Sequence, residues 1–301
     1  MKVGLALGGG GARGIAHIRV LQAFEEAGIT PHKITGTSIG ALFGLMYASG
    51  MTSAQIWEEI SQLFLYKVNS PLDFLTRREA LNWLKLLDFN VSSGSLVKGK
   101  KVIEFLSSRL PVTEFEKLPI PCKLIATNYW SREETVFEHG DVLQPLKASI
   151  AIPGFFEPVE INQQTYVDGG LTNPVPFNHL DDCDIIVAVN VLGSPQQKQP
   201  RLSPNGVDAI FGAFDLMQHS IIREKMHQQK PDIYLDLPIK NVDLFEFHKA
   251  RRIIKQVTPD CETLTQTLKN LNTLDHRNHL QTPAPSEPKW SRLWKQLFYK
   301  R

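Results

Sequence analysis

Ser38 lies at the centre of Gly36-Thr37-Ser38-Ile39-Gly40, between a short β-branched segment at residues 33–35 and an apolar, small-residue run at residues 41–48. That order reads as strand, tight turn, helix, and Gly-x-Ser-x-Gly in this setting is the pattern of a nucleophile elbow. Gly36 and Gly40 let neighbouring backbone pass where a Cβ would clash. The hydroxyl then stands at a helix N-terminus, where unpaired N–H groups and the helix dipole favour developing negative charge. The chemistry this suggests is attack on a carbonyl carbon. The five residues alone also describe an ordinary turn holding a small polar side chain, so the surroundings must decide.

A second block, Gly8-Gly9-Gly10-Gly11-Ala12-Arg13-Gly14, follows an apolar strand at residues 2–7 and precedes a helix that closes at Gly28. Two chemistries fit it. Gly9-x-Gly11-x-x-Gly14 matches the dinucleotide fingerprint, which also needs an acid at the end of the next strand to hold a ribose. That strand ends Ile34-Thr35-Gly36 without one, and Glu25 and Glu26 fall inside the preceding helix, which argues against a dinucleotide. The other reading is an oxyanion hole built from Gly9, Gly10, Gly11, Arg13 and Gly14. A glycine run presents N–H donors to a carbonyl oxygen that gains charge, and losing one such donor costs roughly 3–4 kcal/mol of barrier. If the first two strands are parallel neighbours, the two helix N-termini converge on one point. Arg13 braces the loop or adds positive charge, unless it is a solvated surface cation.

A serine hydroxyl needs a base. Asp168-Gly169-Gly170 supplies a carboxylate at the end of an expected strand, although Asp-Gly is also a common turn pair. A histidine base is the usual alternative, and His179 is the candidate that follows Asp168. His219, His227 and His248 read as helix-surface residues, and His17 as a first-helix residue close to the glycine loop.

In this order and spacing the three blocks resemble the patatin-like phospholipase family, and two further stretches, residues 148–154 and 168–176, resemble its bacterial members. The resemblance covers roughly residues 2–257. It implies a Ser38–Asp168 dyad that needs no histidine, with the oxyanion hole in the glycine loop and Gly169 and Gly170 shaping the acid motif. It implies hydrolysis of a phospholipid, lysophospholipid or other fatty-acyl ester through an acyl-serine, without metal or cofactor. A carboxylate is ordinarily too acidic for this role, so the site must be partly desolvated. Gly8 stands where plant members carry an acid, and Arg19 where bacterial members carry glycine. A regulatory or scaffolding member with little turnover is the alternative, followed by a dinucleotide-binding oxidoreductase.

The alternation of strands and helices points to an α/β fold, and the resemblance implies a three-layer α/β/α arrangement with a mostly parallel central sheet of patatin-like type. Further strands are expected at residues 121–128, 134–138, 159–161, 165–167, 184–190 and 232–235. Asp141 should cap a short helix ending near Ser149. Helices are expected at residues 207–223, 245–254 and 263–274. Residues 51–111 form an amphipathic helical excursion, read as covering layer or as a cap over an acyl groove. The division expected is an acyl hydrolase domain at 1–257, a helical extension at 258–281, and a proline-rich linker with a basic amphipathic tail at 282–301. In the tail, Trp290, Leu293, Trp294, Leu297 and Phe298 recur at helical spacing among cations only, the pattern of a helix on an anionic membrane.

A formal net charge of +2 over 301 residues offers no field for nucleic acid. Three widely spaced cysteines suggest neither a metal site nor disulfides and fit a reducing compartment. The N-terminal apolar run is too short for a signal peptide, and no stretch is long enough to span a bilayer. The expected location is cytoplasmic, with peripheral contact at the inner membrane surface through the tail.

Overall fold

The structure is a computed structural model, which describes residues 1–64, 108–193 and 206–279. Most of the expected excursion at 51–111, part of the loop near 200 and the whole of 282–301 lie outside the described residues.

Among the described residues, eight strands form one sheet: β1 (Val3–Leu7), β2 (Lys33–Thr37), β3 (Cys122–Asn128), β4 (Glu134–Phe137), β5 (Val159–Ile161), β6 (Gln164–Asp168), β7 (Ile185–Asn190) and β8 (Ile233–Asp236). Followed through paired neighbours, the order is β5–β6–β3–β2–β1–β7–β8, and β4 also pairs with β3. β3, β2, β1, β7 and β8 pair in parallel, while β4, β5 and β6 join antiparallel. β1 and β7 read as unbroken apolar runs because both faces of each are covered.

The helices are α1 (Ala16–Ala27), α2 (Ile39–Ala48), α3 (Ser53–Phe64), α4 (Leu143–Ser149), α5 (Gly206–Gln228) and α6 (Ala250–His279). Strand alternation sorts them into two layers. Leu5, Leu7, Val187 and Val189 pack with α1, α2, α3 and α6 on one face. Ala6, Ile186 and Ala188 pack with Val175, Phe177, Leu180 and Ile222 on the other. A smaller cluster joins α4 to β3, β5 and β6 through Ala126, Ala148, Ala151, Val159 and Tyr166. α2 is buried along its whole length, which explains why its sequence shows no polar face.

The helices expected separately at 245–254 and 263–274 are one helix. α6 runs from Ala250 to His279 with Pro259 inside it. Ile253, Val257, Cys261, Leu264, Leu268 and Leu271 are buried along one face and pack with α1. A proline interrupts a helix because it lacks an N–H and crowds the preceding turn; here the continuous apolar stripe on either side of Pro259 outweighs that local signal. Asp141 Oδ2 accepts the N–H of Gln144 at the start of α4. No described helix is long and apolar enough to cross a membrane.

Candidate active site

β3 acts as the ruler for the site. Thr37, the last residue of β2, lies opposite Ile125, and Asp168, the last residue of β6, lies opposite Ala126. Ile125 also pairs with Val136 and Ala126 with Thr135, so β4 occupies the other edge of β3. β2 and β6 therefore share one edge, run in opposite senses, and end head to head. Ser38 follows Thr37 directly. Its Oγ donates to Asp168 Oδ2 at 2.6 Å, across 130 residues of chain.

Ser38 has φ 55° and ψ −124°, a conformation that costs a non-glycine residue energy and that surrounding structure must enforce. The enforcement is tight packing. A Cβ on Gly40 would lie 2.2 Å from the carbonyl oxygen of Leu7. Thr37 Oγ1 donates to the carbonyl of Asn173 at 2.7 Å, tying the end of β2 to the segment after the acid.

Asp168 is 1% exposed and Ser38 6%. Burial pushes the Asp168 carboxyl from 3.8 up to about 7, against the hydrogen bonds from Ser38 and from the Gly170 N–H, which pull it down. Its two oxygens are divided: Oδ2 accepts from Ser38, and Oδ1 accepts from the Gly170 N–H at 2.7 Å. One carboxylate thus both closes the Asp-Gly-Gly turn and touches Ser38. A Cβ on Gly169 would meet the Ile125 carbonyl oxygen at 2.3 Å, so the acid loop crosses β3 closely.

The glycine loop lies beside the serine, since a Cβ on Gly9 would be 3.3 Å from the Ser38 Cβ. Its amides are not equivalent. Gly8 N–H donates to Val189 O, Gly9 to Pro174 O, Ala12 to Leu244 O and Arg13 to Gly10 O. Those of Gly10 and Gly11 have no acceptor among the described residues. Gly11 takes φ 56° under Leu244, whose carbonyl would meet a Cβ at 2.3 Å. Gly14 lets the start of the first helix pass against Ile39, whose Cγ2 would lie 2.2 Å from a Cβ there.

Arg13 is buried at 8% exposure rather than solvated. Its guanidinium donates to the carbonyls of Gly10 and Leu192 and pairs with Asp215 of α5 at 3.0 Å. It braces the loop from behind. His17 is fully buried, with Nε2 2.8 Å from the Gly8 carbonyl oxygen, and burial pushes it from 6.5 down to about 4, partly offset by that hydrogen bond. Its ring is therefore neutral near pH 7. Arg19 sits at the rim of α1, paired with Glu26 at 3.2 Å.

His179 is not at the serine. Its Nε2 lies 3.2 Å from Glu134 Oε1 and 3.3 Å from Asn178. Asn173 Nδ2 donates to Glu134 and Asn178, and Lys225 of α5 donates to Asn173 Oδ1 and Asn178 Oδ1. Desolvation would raise Glu134, but hydrogen bonds from His179 and Asn173 and the charges of His179 and Lys225 hold it from 4.5 down at about 2. Burial pushes Lys225 from 10.5 down to about 8, opposed by Glu134. This polar network anchors Asn173, and through it Thr37. Nothing in the spacing of Glu134, Asn173, His179 and Lys225 announces it. The one available signal was a lysine sharing a face of α5 with Ile221, Ile222 and Met226.

A loop of amides, a serine and a buried carboxylate meeting at the carboxyl ends of β1, β2 and β6 can take a proton, attack a carbonyl and hold an anion. The family model described as patatin-like phospholipase matches residues 5–181. An uncharacterized NTE family protein of Mycobacterium tuberculosis is 32% identical over 206 residues, 68% of this chain and 53% of its own length. The chain thus spans about half the length of that relative. Lysophospholipase NTE1 of Candida glabrata is 30% identical over 277 residues, 84% of this chain and 15% of its own. Among solved structures, VipD from Legionella pneumophila superposes with a TM-score of 0.47 at 16% identity, covering 88% of this chain and 66% of that one. With the family model spanning more than half of the residues, the chain belongs to the patatin-like phospholipase family.

Proposed function

We propose that this chain hydrolyses fatty-acyl esters of phospholipids or lysophospholipids, with Ser38 as nucleophile and Asp168 as base. The observation that carries the reading is the 2.6 Å hydrogen bond from Ser38 Oγ to a carboxylate that is 1% exposed. An ordinary carboxylate holds a proton too weakly to draw one from an alcohol. One raised to about 7 is a better base and is still about half ionised near neutral pH.

Ser38 Oγ attacks the ester carbonyl carbon while its proton passes to Asp168 Oδ2. The carbonyl oxygen becomes an oxyanion and takes hydrogen bonds from the N–H groups of Gly10 and Gly11. The Gly9 amide, engaged with Pro174 O, serves the fold of the loop instead. The tetrahedral species collapses, the alcohol leaves with the proton from Asp168, and an acyl-serine remains. Water gives a proton to Asp168, attacks the acyl carbonyl, and releases the fatty acid as the serine is reprotonated. The aromatic rings of Phe155, Phe211 and Phe245 gather with centroids 4.6, 4.7 and 5.7 Å apart. Phe245 follows Leu244, which covers Gly11, so this apolar surface is suited to an acyl chain beside the oxyanion loop. The NTE1 relatives are lysophospholipases, which supports a lipid ester as substrate. Peripheral membrane contact through the basic tail belongs to the same reading; liposome co-sedimentation of the full chain and of one lacking residues 283–301 tests it, and equal binding removes it.

The test is labelling with a fluorophosphonate together with p-nitrophenyl ester hydrolysis by the wild type, Ser38→Ala and Asp168→Asn. Labelling and turnover should be lost in Ser38→Ala. Ester hydrolysis retained by Ser38→Ala overturns the mechanism, and a wild type that neither labels nor turns over favours a regulatory member of the family.

A further inference from the structure

The two residues of the dyad share a hydrogen bond, and their backbones also share one holder. Ser38 N–H cannot join a ladder, because β2 has ended, and it precedes the first hydrogen bonds of α2. It donates to Ser149 Oγ at 2.9 Å. Asp168 N–H donates to the carbonyl of Ala151 at 2.9 Å. Both acceptors come from three consecutive residues at the end of α4.

That segment is buried and hydrogen-bonded where it acts. Ser149 is fully buried and Ala151 is 1% exposed. Ile150 N–H bonds to Leu146 O and Ala151 N–H to Ala148 O, closing the helix end tightly. Ala148 and Ala151 pack in one cluster with Ala126 of β3, the residue opposite Asp168. The holder is thus referenced to the same strand that aligns β2 and β6.

The consequence for Ser38 is specific. Its strained backbone leaves its N–H pointing into the protein interior. Without an acceptor, that buried donor would be an unpaired polar group, and relief would come by rotating φ away from 55°. Such a rotation would swing Oγ off Asp168. We infer that Ser149 is a positioning residue: its hydroxyl accepts the nucleophile's own N–H and keeps Oγ on the base, while Ala151 holds the base from the same segment. This rests on the proposed role of Ser38 and adds to it a residue that touches neither substrate nor reacting atoms.

The test is Ser149→Ala, with Ser149→Cys as a second variant that keeps a weaker acceptor in nearly the same volume. In Ser149→Ala, kcat for a short p-nitrophenyl ester should fall about 10- to 100-fold per folded molecule, the loss typical of a small misplacement of a reacting group. KM should stay within about twofold, since no substrate contact is removed. The acid limb of kcat/KM should move to higher pH, because the bond from Ser38 helps keep Asp168 ionised. Ser149→Cys should fall between the two. Hydrogen exchange at the Ser38 amide reads the bond without turnover: it should be protected in the wild type and fast in Ser149→Ala. Wild-type kcat and an unmoved acid limb in a folded Ser149→Ala overturn the proposal. If that variant does not fold, wild-type kcat in Ser149→Cys overturns it. A wild type with a protected Ser38 amide but no turnover sinks the hydrolase reading and leaves the holder standing; an unprotected amide sinks the holder alone.

Discussion

Thr37 and Asp168 end two different strands, and they lie opposite consecutive residues of β3, Ile125 and Ala126. β2 arrives parallel and β6 antiparallel along the same edge, so their ends meet. The dyad distance follows from strand register, which a one-residue slip would change for every side chain. A Ser38–Asp168 contact set by register needs no flexible loop to close it.

The first expectation concerns rate against pH. Asp168 must be ionised to accept a proton, and its carboxyl is raised from 3.8 to about 7. kcat/KM for a short ester should therefore rise with pH and level off above about 7, reporting the free enzyme's base. Asp168→Asn should lower kcat by about 10²- to 10⁴-fold, the usual span for a lost general base. A profile already flat from about pH 5 upward would exclude Asp168 as the base.

Stability should carry the same signature with the opposite consequence. Folded Asp168 holds its proton up to about 7, whereas the unfolded carboxyl releases it near 3.8. Between those values the folded state binds more protons, so stability from this group falls as pH rises through the window. Asp168→Asn removes that slope. Urea midpoints measured at about pH 4 and about pH 8 should show the variant gaining on the wild type at the higher pH. A gap that does not change with pH would mean that burial of this carboxyl has been misjudged.

Glu134 should behave the other way. It is held at about 2 against 4.5 unfolded, so its contribution is present above about 4.5 and lost as pH falls toward 2. Glu134→Gln should weaken the fold at neutral pH by about 1–3 kcal/mol and flatten the acid-side loss. Chemical denaturation across the acid range measures both. Because Asn173 ties this network to Thr37, a fall in kcat per folded molecule should accompany it.

Arg13 should not be replaceable by lysine. Its guanidinium reaches two backbone carbonyls and Asp215 at once, a fork that a single ammonium does not reproduce. Arg13→Lys should lower kcat by about tenfold or more through a displaced oxyanion loop. Asp215→Asn should cost less, since that side chain is 36% exposed and water can take over its role. Steady-state kinetics with thermal melts on both variants checks the order, and equal effects would argue against a bracing role for Arg13.

The two strand–turn–helix units, β1 to α1 and β2 to α2, were legible in the amino-acid sequence, as were the glycine loop, the elbow at Ser38 and Asp168 as a partner. Each is written in local terms: apolar runs of strand length, glycines where backbone must pass closely, and helical spacing up to Gly28. Tertiary structure decided what those terms leave open. Ser149, Asn173 and Lys225 carry no local pattern, because their partners are 111, 136 and 52 residues away. Which amides of the glycine loop find a backbone acceptor depends on carbonyls of Pro174, Val189 and Leu244, which belong to other parts of the chain. The continuity of α6 through Pro259 was likewise settled by burial against α1. Periodicity and turn chemistry report the interactions of near neighbours, whereas the division of Asp168's two oxygens between a turn and Ser38 exists only once β3 has brought two distant strand ends together.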